Sequence, residues 1–261
     1  MSLGIILLLA GSCTEIALIA LIVRMRAYEK FPVFCAYIAW DLLDNLGLYF
    51  ISRLDPGFYF QSYLIALAID SVFMFGVLVE LAWSVLRPFR LALPRGAIVV
   101  VALMVGVIGA AIWPFAHSAA YLHYGPQSRL LLHLQQTVSV MRIFFFLVLA
   151  ASSQLLSINW RDREMQIATG LGFYSIITVT ISILHANQAV GPMYHMLDEL
   201  VGISGVGCFA YWLFSFAKNP APRREFTPQM QGILLAVAGA ARSTRVAMTG
   251  PDTNRLRERD K

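Results

Sequence analysis

Ionisable side chains lie in the middle of apolar segments of this chain, where they could bind a ligand or carry protons. They are five acids and one base: Glu15, Asp41, Asp44, Asp70, Glu80 and Arg142. Each such group costs about 2.5–3.5 kcal/mol to insert into a bilayer, which makes it a candidate for function. Arg142 is the most informative, because arginine keeps its proton in proteins. We expect it to form a buried network with Glu15, Asp44 or Asp70. That network lines a ligand or ion site, or it only fixes helix packing.

Uncharged polar side chains recur at helical spacing beside these groups. Residues three and four apart share one face of a helix, so Asn45 lies on the same face as Asp41 and Asp44. Two further polar stripes are predicted on later segments: Gln135, Ser139 and Arg142 on one, and Ser175, Thr178 and Ser182 on the next. Lipid cannot satisfy such groups. The stripes therefore predict a polar interior shared by several helices.

The five histidines gather in or near one set of helix ends. They are His117, His123, His133, His185 and His195. Imidazoles together with a carboxylate such as Asp198 could hold zinc or another divalent ion, or haem. Their spacing matches no metal motif. His133, His185, His195 and Asp198 are thus candidate metal ligands, and the alternative is ordinary histidines at helix ends.

The composition says which solvent must surround these groups. Of 261 residues, 58% are hydrophobic and 13% are charged, and the mean hydropathy is +0.67. Soluble domains carry about 25% charged residues. Seven segments are long enough to span a bilayer as helices: 3–23, 33–52, 61–86, 96–116, 130–157, 166–187 and 197–217. The sequence predicts an all-α, polytopic bundle of seven transmembrane helices.

Basic residues set the predicted orientation. They gather in the first, third and fifth loops and in the tail, for example at Arg24, Arg90, Arg161 and Arg223. Short loops rich in Lys and Arg stay in the cytoplasm. The N-terminus is therefore predicted outside and the C-terminus inside, in the cytoplasmic (inner) membrane. The net charge of +5 comes from these loops, so no nucleic-acid partner is expected.

The chain divides into a transmembrane domain, 1–219, and a cytoplasmic tail, 220–261. Residues 226–247 contain a short apolar run followed by arginines. This pattern predicts an interfacial amphipathic helix, and a disordered basic end follows it. The alternative is a wholly disordered tail.

Missing motifs exclude some functions. The lysines are Lys30, Lys218 and Lys261, so the seventh segment offers no anchor for a retinal Schiff base. The sequence contains no Walker or dinucleotide motif. Any cofactor remains unknown from sequence.

Three segments carry a family resemblance. Tyr28-Glu-Lys-Phe-Pro-Val-Phe-Cys-Ala-Tyr37 leads into helix 2, Arg87-Pro-Phe follows Glu80, and Trp160-Arg-Asp-Arg precedes Gly170-Leu-Gly-Phe173. Together they resemble a large bacterial group of uncharacterised multi-pass membrane proteins, over about helices 1 to 6. The resemblance implies a similar topology and no particular activity.

Three functional hypotheses follow. The first is a receptor, sensor or accessory protein with a polar cavity around Arg142, which binds a small ligand or a partner protein; a cytoplasmic partner would contact the basic loops and tail. The second is an ion- or proton-coupled transporter of small solutes that uses the buried acids. The third is a membrane enzyme with a His/Asp metal site at the outer face.

Overall fold

The computed structural model describes residues 3–85, 97–116, 126–152, 162–186 and 192–218. Within these ranges the chain is entirely helical, with seven α-helices and no strand. The helices are α1 (Leu3–Arg24), α2 (Pro32–Leu54), α3 (Pro56–Val85), α4 (Ala97–Ile112), α5 (Pro126–Ser152), α6 (Arg163–Ala186) and α7 (Pro192–Ala217). The tail with its predicted helix at 226–247, the domain boundary at 219–220 and the loop residues His117 and His123 lie outside the described residues.

Six of the seven helices are long and apolar enough to cross a membrane. The exception is α2, which has sufficient length at 23 residues. Its apolar character is interrupted by Asp41, Asp44 and Asn45 near its centre. It packs between α1 and α3. The chain is thus a helical protein of the multi-pass membrane type.

The helices form a closed ring. Neighbouring helices contact each other in the order α1, α2, α3, α5, α6 and α7, and α7 packs back against α1. α4 lies outside this ring, where it contacts α3 and α5. It packs through Val101 and Val105, which are buried. Gly106 does not take part in this packing, since a Cβ there would meet nothing within 4 Å.

A local sequence signal explains where α3 begins. The α2–α3 loop, which hydropathy predicts to extend from 53 to 60, is reduced to Asp55. The Asp55 carboxylate accepts a hydrogen bond from the backbone N–H of Gly57 at 3.1 Å. Pro56 occupies the first helical position, where its missing N–H is not needed. Helix α3 therefore begins five residues before the predicted span, and Phe58, Tyr59 and Phe60 are helical.

Two charged side chains join helix ends at one end of the bundle, which we call the basic end. Glu80 of α3 accepts hydrogen bonds from the backbone N–H groups of Val33 and Phe34, both at 2.8 Å. It therefore caps the start of α2, where a negative charge is favoured. Arg163 of α6 donates to carbonyl oxygens of Ser215 and Phe216 at 3.1 and 3.0 Å, at the end of α7.

The tightest packing also lies toward the basic end. Trp212 is 1% exposed, stacks edge-on against Phe34 at 5.0 Å between ring centroids and donates its indole N–H to the carbonyl of Gln166 at 3.1 Å. Gly170 makes this possible, because a Cβ there would collide with the indole ring. The other end of the bundle, formed by the starts of α1, α3 and α7 and the end of α6, we call the open end.

Candidate functional site

A cavity of about 670 Å³ runs into the bundle from the open end. We call it the large cavity. It lies between α1, α2, α6 and α7, with Tyr59 contributed by α3, and its wall extends along α7 from Asp198 to Trp212. At 1.5 Å per residue this is about 21 Å of helix. Glycines contribute much of the wall on α1 and α7, because they leave space that side chains would fill: Gly4, Gly11, Gly202 and Gly205.

Glu15 is the buried charge of the large cavity. It projects from α1, is 1% exposed and lines the cavity. Its Oε1 atom accepts a long hydrogen bond, 3.4 Å, from the side-chain amide of Asn45. Its Oε2 atom has no hydrogen-bond partner among the described residues. A buried oxygen without a donor costs about 1–3 kcal/mol, so this atom favours a donor from a ligand or from a protonated Asp41 carboxyl, with which Glu15 interacts.

Asn45 connects Glu15 to the next carboxylate. Its amide also donates to Asp41 Oδ2 at 3.1 Å, and the hydroxyl of Tyr37 donates to Asp41 Oδ1 at 3.5 Å. Glu15, Asn45, Asp41 and Tyr37 thus form a line of polar groups between α1 and α2. The line ends at a second, smaller cavity.

The second cavity measures about 140 Å³ and contains Arg142 in its wall; we call it the Arg142 pocket. Asp41, Asp44 and Asp70 supply its carboxylates. Three residues, Tyr37, Asp41 and Tyr174, line both cavities. They form a shared wall, which separates the large cavity from the arginine.

Arg142 is buried, 4% exposed, and is held by neutral groups. Its guanidinium donates to the Ser139 hydroxyl at 2.9 Å and contacts the Met74 sulfur at 3.7 Å. It also lies 5.9 Å from the ring centroid of Tyr174, within range of a cation–π interaction. Among the described residues no carboxylate oxygen lies within 4.0 Å of it, and its Nε has no partner.

Among the described residues, the structure brings part of the expected network around Arg142 together. Asp44 and Asp70 share its pocket without forming ion pairs at contact distance. Glu15 does not line this pocket and belongs to the large cavity. The predicted polar interior is divided into two compartments, and the compartment with room for a ligand is the one without the arginine.

The remaining predicted polar residues have different surroundings. Gln135 and Thr178 line the Arg142 pocket, and the Thr178 hydroxyl donates to the carbonyl of Tyr174 at 2.6 Å. Ser139 donates to the carbonyl of Gln135 at 2.9 Å while it accepts from Arg142. Ser175 is fully buried with no hydrogen-bond partner for its hydroxyl among the described residues. Ser182 lies nearer the end of α6 and lines neither cavity.

The candidate metal ligands are only partly brought together. His185 and Asp198 lie 3.8 Å apart at the open end, where α6 ends and α7 begins. His133 is engaged elsewhere, with its Nε2 at 2.8 Å from the carbonyl oxygen of Trp113 and its ring against that indole. The side chain of His195 lies outside the described part of the structure. No group of three or more possible ligands is found among the described side chains.

Several important residues were not predicted from sequence. Tyr174 and Tyr37 form the shared wall, and Trp212 and Phe209 line the deep part of the large cavity. Tyrosines and tryptophans within apolar segments look like ordinary core residues in a sequence. The glycines of α1 and α7 were a usable signal, since small residues on two helices that meet leave room between them.

Comparisons with protein-family models, with curated proteins and with solved structures gave no match to this chain.

Proposed function

We propose that this chain is a receptor- or sensor-type protein that crosses the cytoplasmic membrane seven times and binds a small molecule in the large cavity. A resemblance to uncharacterised bacterial multi-pass membrane proteins is part of the same proposal. The single observation that carries the ligand site is Glu15, a buried carboxylate with an unpartnered oxygen in the wall of a cavity of about 670 Å³. Small-molecule pockets measure about 300–1,000 Å³ and combine apolar walls with a few placed polar groups.

The arrangement of charges at the basic end supports an outside N-terminus. Arg163 contacts Met25 and the carbonyl of Lys218, so the first loop, the start of α6 and the end of α7 lie together. The arginines and lysines of these segments then occupy one face of the membrane. Lys and Arg in short loops favour the cytoplasm, and the large cavity opens on the opposite side. A reporter active only in the cytoplasm, fused to the C-terminus, is expected to be active; an inactive reporter, beside an active one at the N-terminus, would reverse the orientation.

The shared wall offers a way for a ligand in the large cavity to affect the position of Arg142. A ligand in the large cavity contacts Tyr37, Asp41 and Tyr174, whose other sides face the Arg142 pocket. Among the described residues Arg142 has one short hydrogen bond, to Ser139, so its position depends on the surrounding electric field. A charge or dipole introduced across the wall is expected to shift it, and with it the contact between α5 and α6.

The test is a pair of glycine substitutions two residues apart on α7. Gly205 lines the large cavity, and a Cβ there would meet Tyr174 at 3.7 Å. Gly207 is exposed, and a Cβ there would meet nothing within 4 Å. Gly205→Leu fills the cavity, whereas Gly207→Leu makes the same chemical change outside it.

Thermal unfolding of the three proteins in nanodiscs, with a library of small molecules, reads out binding. A ligand at 100 times its Kd stabilises the folded state by about 2.7 kcal/mol. We expect compounds that raise the unfolding temperature of the wild type and of Gly207→Leu and leave Gly205→Leu unchanged. Compounds that stabilise all three proteins equally would place binding elsewhere.

The line of polar groups favours a second candidate, a proton-coupled transporter. Glu15, Asn45 and Asp41 connect the large cavity to a pocket that also contains Asp70, and such chains of acids can relay protons. Substrate flux in reconstituted vesicles that collapses the pH gradient and is lost in Asp41→Asn would support this candidate. Ligand binding without any flux would leave the receptor function.

A further inference from the structure

The lining of the large cavity is acidic. Its described lining contains four carboxylates, Glu15, Asp41, Asp198 and Glu199, and no Lys, Arg or His side chain. His185 lies within 3.8 Å of Asp198 but outside the lining. The nearest buried cation, Arg142, is on the far side of the shared wall. A cation that enters this space favours the ionised form of the acids, and low-dielectric walls strengthen the attraction between them.

Aromatic rings make up a second part of the lining. Tyr37, Tyr59, Tyr174 and Trp212 all reach the cavity. The face of an aromatic ring carries negative charge density and binds ammonium groups, most strongly when water is excluded. Carboxylates alone would suit a metal ion or a proton. Carboxylates with aromatic faces in a cavity of this volume suit an organic cation.

Glu15 supplies an independent observation. Its Oε2 atom is buried and has no donor among the described residues, although Asn45 is close enough to reach the other oxygen. A ligand N–H would supply the missing donor, and a charge-assisted bond is about twice as strong as a neutral one. Apolar side chains such as Leu7, Leu8 and Val206 line the same stretch and would contact the carbon skeleton.

We infer that the large cavity selects ligands that carry an organic ammonium group, with the cation between Glu15, Asp41 and the aromatic rings and the apolar part along α1 and α7. This inference rests on the proposed function, because it specifies the chemistry of the same site. An anionic ligand would face four acidic side chains and, in the described lining, no Lys, Arg or His side chain. A bare metal ion would lack a group of three or more ligands among the described side chains.

A native cysteine provides the assay. Cys208 lines the large cavity, whereas Cys13 is exposed on α1 and does not line it. Variants that retain only Cys208 or only Cys13 are placed in nanodiscs, so that both faces are accessible. Each is treated with a methanethiosulfonate reagent that carries either a trimethylammonium or a sulfonate group. The thiolate attacks the reagent's sulfenyl sulfur, a mixed disulfide forms and methanesulfinate leaves.

The ratio of the two labelling rates, relative to the ratio for free cysteine, measures the charge preference of the cavity. A unit charge about 10 Å away in a partly wet site changes the rate of each reagent by roughly threefold, and in opposite directions, so the ratio changes by roughly tenfold. We expect Cys208 to prefer the cationic reagent at least tenfold. The preference is expected to fall several-fold in Glu15→Gln and in Asp198→Asn/Glu199→Gln. Glu29→Gln, which removes an exposed acid of the basic end, should leave it unchanged.

The outcomes separate the two claims. Labelling of Cys208 by both reagents with no cationic preference, or a preference that none of these substitutions reduces, would overturn the ammonium inference and leave an open cavity. Failure of both reagents to label Cys208 even at alkaline pH, where the thiolate fraction rises, while free cysteine reacts, would refute the open cavity and the proposed function together. Thermal unfolding of each variant shows whether it is folded.

Discussion

Glu15 and Glu80 are both glutamates within helices, but their carboxylates differ in the hydrogen bonds that they accept. Glu80 accepts two backbone N–H groups at 2.8 Å. Glu15 accepts one long bond at 3.4 Å, and its second oxygen has no partner among the described residues. Exchange of each for glutamine keeps the shape of the side chain and removes one acceptor oxygen. The two substitutions are therefore expected to have different effects on stability.

The expected magnitudes follow from these contacts. In Glu80→Gln the side-chain NH2 faces one of the two N–H groups of α2, which leaves a donor unsatisfied at about 1–3 kcal/mol. Loss of the negative charge at the helix start adds about 0.3–1 kcal/mol. The free energy of unfolding should thus fall by about 1.3–4 kcal/mol. In Glu15→Gln the amide oxygen can keep the bond to Asn45, so the change should stay within about 1 kcal/mol of zero or be stabilising.

Equilibrium unfolding in mixed micelles of increasing dodecyl sulfate fraction, followed by circular dichroism, measures both free energies. Glu29→Gln is the control, since an exposed acid changes stability by about 0.5 kcal/mol at most. Equal losses for Glu15→Gln and Glu80→Gln would show that Glu15 has a structural partner and would remove the argument for a ligand there. A neutral Glu80→Gln would refute the cap between α3 and α2.

Four further substitutions, one of them a control, test the packing and the charges. Gly170→Ala places a methyl group against the Trp212 indole and should lower the free energy of unfolding by about 1–3 kcal/mol. Gly106→Ala is the control, because open space surrounds that position, and it should be neutral or stabilising by up to about 1 kcal/mol. A larger loss of stability in Gly106→Ala than in Gly170→Ala would refute the α6–α7 contact. Arg163→Gln removes bonds to carbonyls at the end of α7, so hydrogen exchange in the last turn of α7 should accelerate, and unchanged exchange would refute the cap. Arg142→Met removes a buried cation whose Nε lacks a partner among the described residues. The free energy of unfolding should change by less than about 2 kcal/mol, while the stabilisation by a bound ligand should change. A large loss of stability would show that Arg142 has a structural role.

Much of the architecture could be predicted from hydropathy and helical periodicity. Apolar stretches of about 20 residues locate helices, and the period of 3.6 residues places Asp41, Asp44 and Asn45 together. The predicted positions of the helix ends were less accurate, because a helix end depends on single residues. The start of α3 illustrates this, since Asp55 and Pro56 form a start signal within a segment that a hydropathy window treats as a loop.

The site was harder to predict because it depends on which helices are neighbours. Periodicity gives the direction of Glu15 on α1 but not its distance from Arg142, and in the structure α7 and α2 are the neighbours of α1. A cavity also depends on positions that have no side chain to fill the space. Gly4, Gly11, Gly202 and Gly205 leave the space, and only the packing of α1 against α7 brings these four positions together.

A density map of the protein in lipid nanodiscs tests the central claim most directly, with a rigid binding partner added to increase the particle size. We predict a space of about 670 Å³ between α1, α2, α6 and α7, with non-protein density within hydrogen-bonding distance of the Glu15 carboxylate. Interdigitated side chains of α1 and α7 that fill this space, with Glu15 turned toward lipid, would contradict the account.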